Sequence, residues 1–88
     1  MKILRFKETH NITGARIKTL RIKMKLTQEQ VAAKMQLAGI QIDQKAISRL
    51  ESGDRVITDY ELMCLAEILN TSADQIIRES LYSAEDEQ

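Results

Sequence analysis

Three stretches of this chain repeat one local pattern: a hydroxyl residue, Gln or Glu three positions later, then an apolar run. They are Thr27-Gln28-Glu29-Gln30, Thr58-Asp59-Tyr60-Glu61 and Ser72-Ala73-Asp74-Gln75. In each, the hydroxyl can accept from the backbone N–H three residues on, while the Gln or Glu side chain reaches back to the first residue's own N–H. Such a capping box belongs at the start of an α-helix, so the pattern demands helix starts at these three places. Proline is absent, and glycine occurs only at Gly14, Gly39 and Gly53, so the chain is obliged to turn at few points. Aromatic residues are limited to Phe6, Tyr60 and Tyr82, which leaves little to favour strands. An all-α fold is the consequence.

Hydrophobic spacing completes the set of helices. The segment from Ile12 through Ile17 and Leu20 to Met24 repeats apolar residues at mostly three-to-four spacing, the mark of an amphipathic first helix. Asn11 or Thr13 is placed to cap it, and its polar face is almost wholly basic. The Thr27 box opens a second helix with Val31, Ala32 and Met35 inward, stopped by Gly39 in a left-handed conformation. Ile40 to Asp43 form a linker, and Asp43 is a good N-cap for a third helix with Ala46, Ile47 and Leu50 inward and Gly53 at its end. The Thr58 box opens a fourth helix, with Leu62, Leu65, Ala66 and Leu69 inside and Asn70 as a left-handed stop. The Ser72 box opens a fifth, carrying Ile76, Ile77 and Leu81. Five short helices joined by tight turns is the expected architecture. It divides into an N-terminal arm over 1–10, a helical domain over 11–82 and a frayed acidic tail over 83–88.

Eighty-eight residues is one domain's worth of chain. A domain of this size buries only about 60–65% of its unfolded surface, so its core is marginal and self-association would help it. A single cysteine, Cys64, rules out an internal disulfide and suits a reducing cytosol. It sits on the fourth helix, where packing is the expected role. No apolar run approaches a membrane span, and the N-terminal residues alternate apolar and basic instead of forming a signal sequence. The net charge is zero but unevenly spread. Residues 1–25 carry eight bases against one acid, residues 26–55 balance four against four, and residues 56–88 carry one base against eight acids. One end is therefore suited to a phosphate backbone while the other points away, although solvated helix faces look the same by charge alone.

The outer side of the third helix is distinctive. Gln44, Lys45, Ser48 and Arg49 offer hydrogen-bonding side chains of graded length with no carboxylate among them. A helix fits the DNA major groove, where residues near its N-terminus reach base edges. By contrast there is no Ser/His/Asp set, no glycine-rich phosphate loop and no paired metal ligands, His10 being single. An enzyme is not indicated, and no cofactor is called for.

Leu26-Thr27-Gln28-Glu29-Gln30-Val31-Ala32, followed by Ala46-Ile47-Ser48-Arg49-Leu50-Glu51-Ser52-Gly53 and a Leu/Ala-rich helix, resembles the XRE family of helix-turn-helix proteins, the group of the lambdoid phage repressors and Cro. The resemblance covers about Ile12 to Ile77. It implies a compact five-helix, lambda-repressor-like domain that binds double-stranded DNA. By that resemblance Gln44, Lys45 and Arg49 touch bases, Ser48 a base or phosphate, and Gln28, Lys25 and Arg55 phosphates. Arg21 and Glu51 match a structural ion pair tying the first helix to the end of the third. The chain departs from the family in one respect: the connection between the second and third helices is longer than the usual short turn. The second helix is therefore expected to run further, with Ile40 or Ile42 plugging the core. Lys2, Arg5 and Lys7 of the arm would suit a groove, though local packing is the plainer reading of such segments.

The resemblance and the third-helix face together imply a transcriptional regulator, a repressor by preference. It would be a bacterial or phage-encoded protein that binds a palindromic operator as a homodimer in the cytoplasm, at the nucleoid. The alternative is an interaction module of the same fold, such as an antitoxin whose main partner is a toxin protein.

Overall fold

The computed structural model describes residues 9–86, with side chains through Leu81. Five helices occur in order: α1 (Gly14–Lys23), α2 (Gln28–Leu37), α3 (Gln44–Ser52), α4 (Asp59–Ile68) and α5 (Ala73–Asp86). Among the described residues there is no strand, and no helix is long and apolar enough to cross a membrane. The basic residues Lys2, Arg5 and Lys7 lie outside the described residues.

The helix starts obey the local chemistry with one exception. Thr27 and Thr58 accept from the backbone N–H of Gln30 and Glu61, whose side chains return the bond to the cap backbone, so both boxes are complete. Asp43 caps α3 by accepting from Ala46 N–H at 2.8 Å. The Ser72 box is only half made. Its hydroxyl accepts from Gln75 N–H at 3.1 Å, but the Gln75 amide turns along the helix and donates to Glu79 at 2.8 Å. A charged acceptor one turn on outcompetes a neutral return bond. At the start of α1 the choice between Asn11 and Thr13 falls to Asn11, whose Oδ1 accepts from Gly14 N–H at 2.7 Å. Thr13 holds the N-cap position without a side-chain cap.

Three of the stops are left-handed residues expected from sequence: Gly39 and Gly53, with φ of 91° and 88°, and Asn70, with φ of 60°. After α2 the Gly39 and Ile40 N–H groups close back on the carbonyls of Gln36 and Met35, satisfying two of the orphan acceptors at the helix end. α1 ends in the same manner at Lys25, a non-glycine residue with φ of 61°. The Lys25 and Leu26 N–H groups bond the carbonyls of Ile22 and Arg21. Met24 is therefore past the end of α1 and is exposed; its place in the apolar repeat does not bring it inward.

The core is a single cluster of Ile17, Val31, Ala32, Met35, Ile42, Ile47, Leu50, Leu65, Ala66, Leu69 and Ile76. α1 and α2 both pack on α3, α4 sits against α2, and α5 closes on α1 and α4. The α2–α3 connection places Ile42 in this cluster, with Ile40 half-buried beside it, and Gln36 Nε2 anchors the loop by donating to Ile42 O at 2.7 Å.

The C-terminal end of α3 is clamped from a distance. Asn11 Nδ2 donates to Leu50 O at 2.9 Å and to Arg55 O at 2.7 Å. His10 N–H and the Thr9 hydroxyl both reach Gly53 O, so the last two residues of the expected arm are tied to the turn after α3. α5 continues to Asp86, into the stretch read from sequence as a frayed tail.

Candidate nucleic-acid interface

α3 is amphipathic because nine residues must present one face to the core and the other to water. Ile47, Leu50 and Glu51 are buried, whereas Gln44, Lys45 and Arg49 are exposed and Ser48 is half-buried. Spacings of three and four put these four residues on one side, and no described segment covers them. Lys45 and Arg49 have no ion-pair partner among the described residues.

What holds α3 from within is a buried ion pair. Arg21 of α1 meets Glu51 in a two-pronged contact, Nε to Oε2 at 2.6 Å and Nη2 to Oε1 at 3.0 Å. The Glu51 side chain is 2% exposed and that of Arg21 11%. Arg21 Nη1 also donates to Leu26 O at 2.9 Å, so one guanidinium ties α1, the α1–α2 turn and α3 together. Arg21 is thus directed inward and is not available to a duplex.

Gln28 stands at the first turn of α2 and joins this assembly. Its Nε2 donates to Glu51 Oε1 at 2.9 Å, and its Oε1 accepts from Gln44 Nε2. Thr27, Gln28, Glu29 and Gln44 line a shallow concavity between the N-terminal ends of α2 and α3. Lys25 is exposed on the neighbouring turn. Helix N-termini carry free N–H groups and the positive dipole end, so this side favours an anion. Asp43, at the N-terminal end of α3, would oppose one, but its carboxylate is engaged in the cap.

Arg55 differs from the phosphate contact read from sequence. Its guanidinium is turned inward onto Glu61, Nη1 to Oε1 at 3.0 Å and Nη2 to Oε2 at 3.1 Å, and Nη1 also donates to Val56 O. The charge that a phosphate would need is already balanced by a carboxylate 5% exposed. Burial pushes the Glu61 carboxyl up, but the bonds from Arg55 and Thr58 outweigh it and hold the group below the usual carboxylate range. Sequence spacing did not reveal this pair, because Arg55 and Glu61 meet only where the turn after α3 folds back on the start of α4. Cys64 is half-buried; burial, and then the nearby Glu67, push its thiol up, away from the reactive thiolate.

No curated protein and no solved structure matches the chain. A family model described as Helix-turn-helix, of the XRE type, matches residues 17–76, which span α1 to the first turn of α5 and so enclose the capped α2, the long connection and the exposed α3. With that match over more than half of its length, and with five helices arranged about an outward α3, the chain belongs to the XRE-type helix-turn-helix family of DNA-binding domains.

Proposed function

We propose that the chain is a transcriptional regulator, acting as a repressor, that binds a palindromic operator as a homodimer and inserts α3 of each copy into the major groove. The observation that carries the reading is the face of α3: four hydrogen-bonding side chains, two of them cations with no ion-pair partner among the described residues, on a helix whose inner side is fixed by the Arg21–Glu51 pair. In this reading Gln44, Lys45 and Arg49 contact bases and Ser48 a base or phosphate. Gln44 suits adenine, Arg49 suits guanine, and each bidentate contact is worth about 1–3 kcal/mol of discrimination. Lys25 and Gln28 take phosphates beside the N-terminus of α2. Arg55 is assigned instead to holding the turn after α3 against Glu61.

The test is selection of bound duplexes from a random-sequence pool, which yields half-site, spacing and symmetry together. The expected product is a two-fold symmetric site. On that site Arg49→Ala should relax one base step per half-site, whereas Lys25→Ala should weaken all sequences alike. A dimer neutralising roughly six to ten phosphates should lose about 10³–10⁵ in affinity between about 50 and 200 mM salt. A flat salt response, or equal losses from both variants on every sequence, would contradict the reading.

A further inference from the structure

Six residues, Ala38 to Asp43, join α2 to α3. Burial alternates along the end of this connection: Ile40 is half-buried, Gln41 exposed, Ile42 buried and Asp43 exposed. In extended chain, successive side chains point to opposite faces. The two isoleucines therefore root the segment in the core, and Gln41 and Asp43 share its outer face. The segment is held in that attitude. Gly39 supplies the left-handed turn before it, with φ of 91°, and Gln36 Nε2 donates to Ile42 O at 2.7 Å. Asp43 Oδ1 is engaged with Ala46 N–H. The Gln41 amide, by contrast, makes no hydrogen bond among the described residues.

Gln41 also stands on a flank of α3 that none of the contacts assigned above serves. Gln28 and Gln44 line the concavity on one side of the N-terminal end of α3. A second concavity, of about 560 Å³, has Gln36, Gln41, Asp43 and Ala46 in its walls. Gln44 and Ala46 are two positions apart, which is about 200° around a helix of 3.6 residues per turn, so the two concavities lie on opposite flanks. A helix about 10–12 Å across with its side chains nearly fills a major groove about 12 Å wide, so duplex meets it on both flanks.

We propose that Gln41 is a base-reading residue that adds one position, with adenine preferred, to each half-site, and that Gln36 is the residue that positions it. The proposal rests on the reading of α3 as the groove helix. Gln41 precedes the N-terminal end of α3, whereas Arg49 lies in its last turn. Along the groove, the added position therefore falls beyond that of Gln44, on the side away from that of Arg49. A primary amide offers a donor and an acceptor together, and adenine presents their complement, N7 beside the N6 amino group. The Asp43 carboxylate on the same outer face selects in the same direction. It repels phosphate oxygens and the paired acceptors of guanine, N7 and O6, but accommodates an amino group.

The test compares the wild type with Gln41→Ala, Gln36→Met, Gln44→Ala and Arg49→Ala, each used to select duplexes from the same random-sequence pool. Gln44→Ala and Arg49→Ala locate the positions that those two residues read. Gln41 is exposed, so Gln41→Ala is expected to melt with the wild type, and thermal melts check this for every variant. The wild type is expected to prefer adenine by roughly tenfold at the position beyond that of Gln44. Gln41→Ala should flatten that preference and spare the other positions, and Gln36→Met, which frees the connection, should weaken the same preference. The proposal is overturned by a Gln41→Ala chain that selects an unchanged site, by a wild-type preference there for any base other than adenine, or by a loss that falls between the Gln44 and Arg49 positions. A Gln41→Ala chain that weakens all sequences alike, with a shallower salt dependence, would make Gln41 a phosphate contact and also overturn it. An intact adenine preference in Gln36→Met overturns the role of Gln36 alone. A wild-type chain that enriches no sequence overturns the groove reading together with the proposal, whereas an enriched site indifferent to Gln41→Ala overturns the proposal alone.

Discussion

Of the three glycines, Gly14 has the least room for a side chain. A Cβ there would lie 2.0 Å from Leu50 O and 2.8 Å from Asn11 Oδ1, the first of these a backbone atom that cannot swing away. Glycine at this point lets the start of α1 touch the end of α3. Gly39 has the opposite character: its φ of 91° needs glycine, but open space surrounds it. Gly14→Ala should therefore cost about 3 kcal/mol despite alanine's better helix propensity, and Gly39→Ala only about 1 kcal/mol. Urea melts of the two variants compare them directly, and equal losses would refute the close approach. Arg21 supplies a second case. Arg21→Met would leave the Glu51 carboxylate buried with one neutral partner, Gln28, at a cost of about 3 kcal/mol. On a domain of this size that lowers the thermal midpoint by more than about 10 °C. A melt within a few degrees of the wild type would show that the pair contributes little.

Among the helices, the three capping boxes are not equivalent. Thr58 and Glu61 exchange both bonds, and Glu61 also holds Arg55, so this cap ties the turn after α3 to α4. Ser72 makes one bond and its Gln75 is engaged elsewhere. Thr58→Ala should cost about 1–2 kcal/mol and Ser72→Ala about 0.5 kcal/mol, read from chemical denaturation; a larger loss at Ser72 would contradict the half-made box. The helices themselves were legible because a cap is a contract among four consecutive residues. The ends were legible wherever glycine or asparagine supplied the left-handed turn. Lys25 was not legible as a stop, since lysine has no local preference for that conformation and adopts it here to close the end of α1 under Arg21.

Across the molecule, two carboxylates besides Glu51 tie one element to another. Glu61 joins α4 to the turn after α3, and Glu79 joins α5 to α1 through Arg16 at 2.6 Å. Bonds from Gln75 and then Arg16 hold the Glu79 carboxyl below its usual range, and the Arg55 and Thr58 bonds do the same for Glu61 against its burial. Both groups bind a proton more readily in the unfolded chain. Their stabilisation is therefore full above the ordinary carboxylate range, near about pH 4.3, and is lost as pH falls below it through the folded values. Thermal midpoints should be level from about pH 7 to 5 and then drop steeply. Glu61→Gln should start lower at neutral pH and fall less on acidification. Parallel profiles for the two chains would rule out Glu61 as a contributor.

The order of helices, their starts, most of their stops and the apolar set that meets in the core were written in the residues themselves. Those features rest on hydrogen bonds and periodicities that close within a few residues, where little chain entropy is at stake. Three-dimensional packing alone settled how three other polar groups spend themselves inside the fold. Arg55 turns to Glu61, Gln28 lies between Glu51 and Gln44, and Asn11 holds carbonyls near residue 50. A long polar side chain has several partners within reach of its stem. Which one it takes depends on where packing delivers the other helices, and no stretch of sequence taken in isolation contains that information.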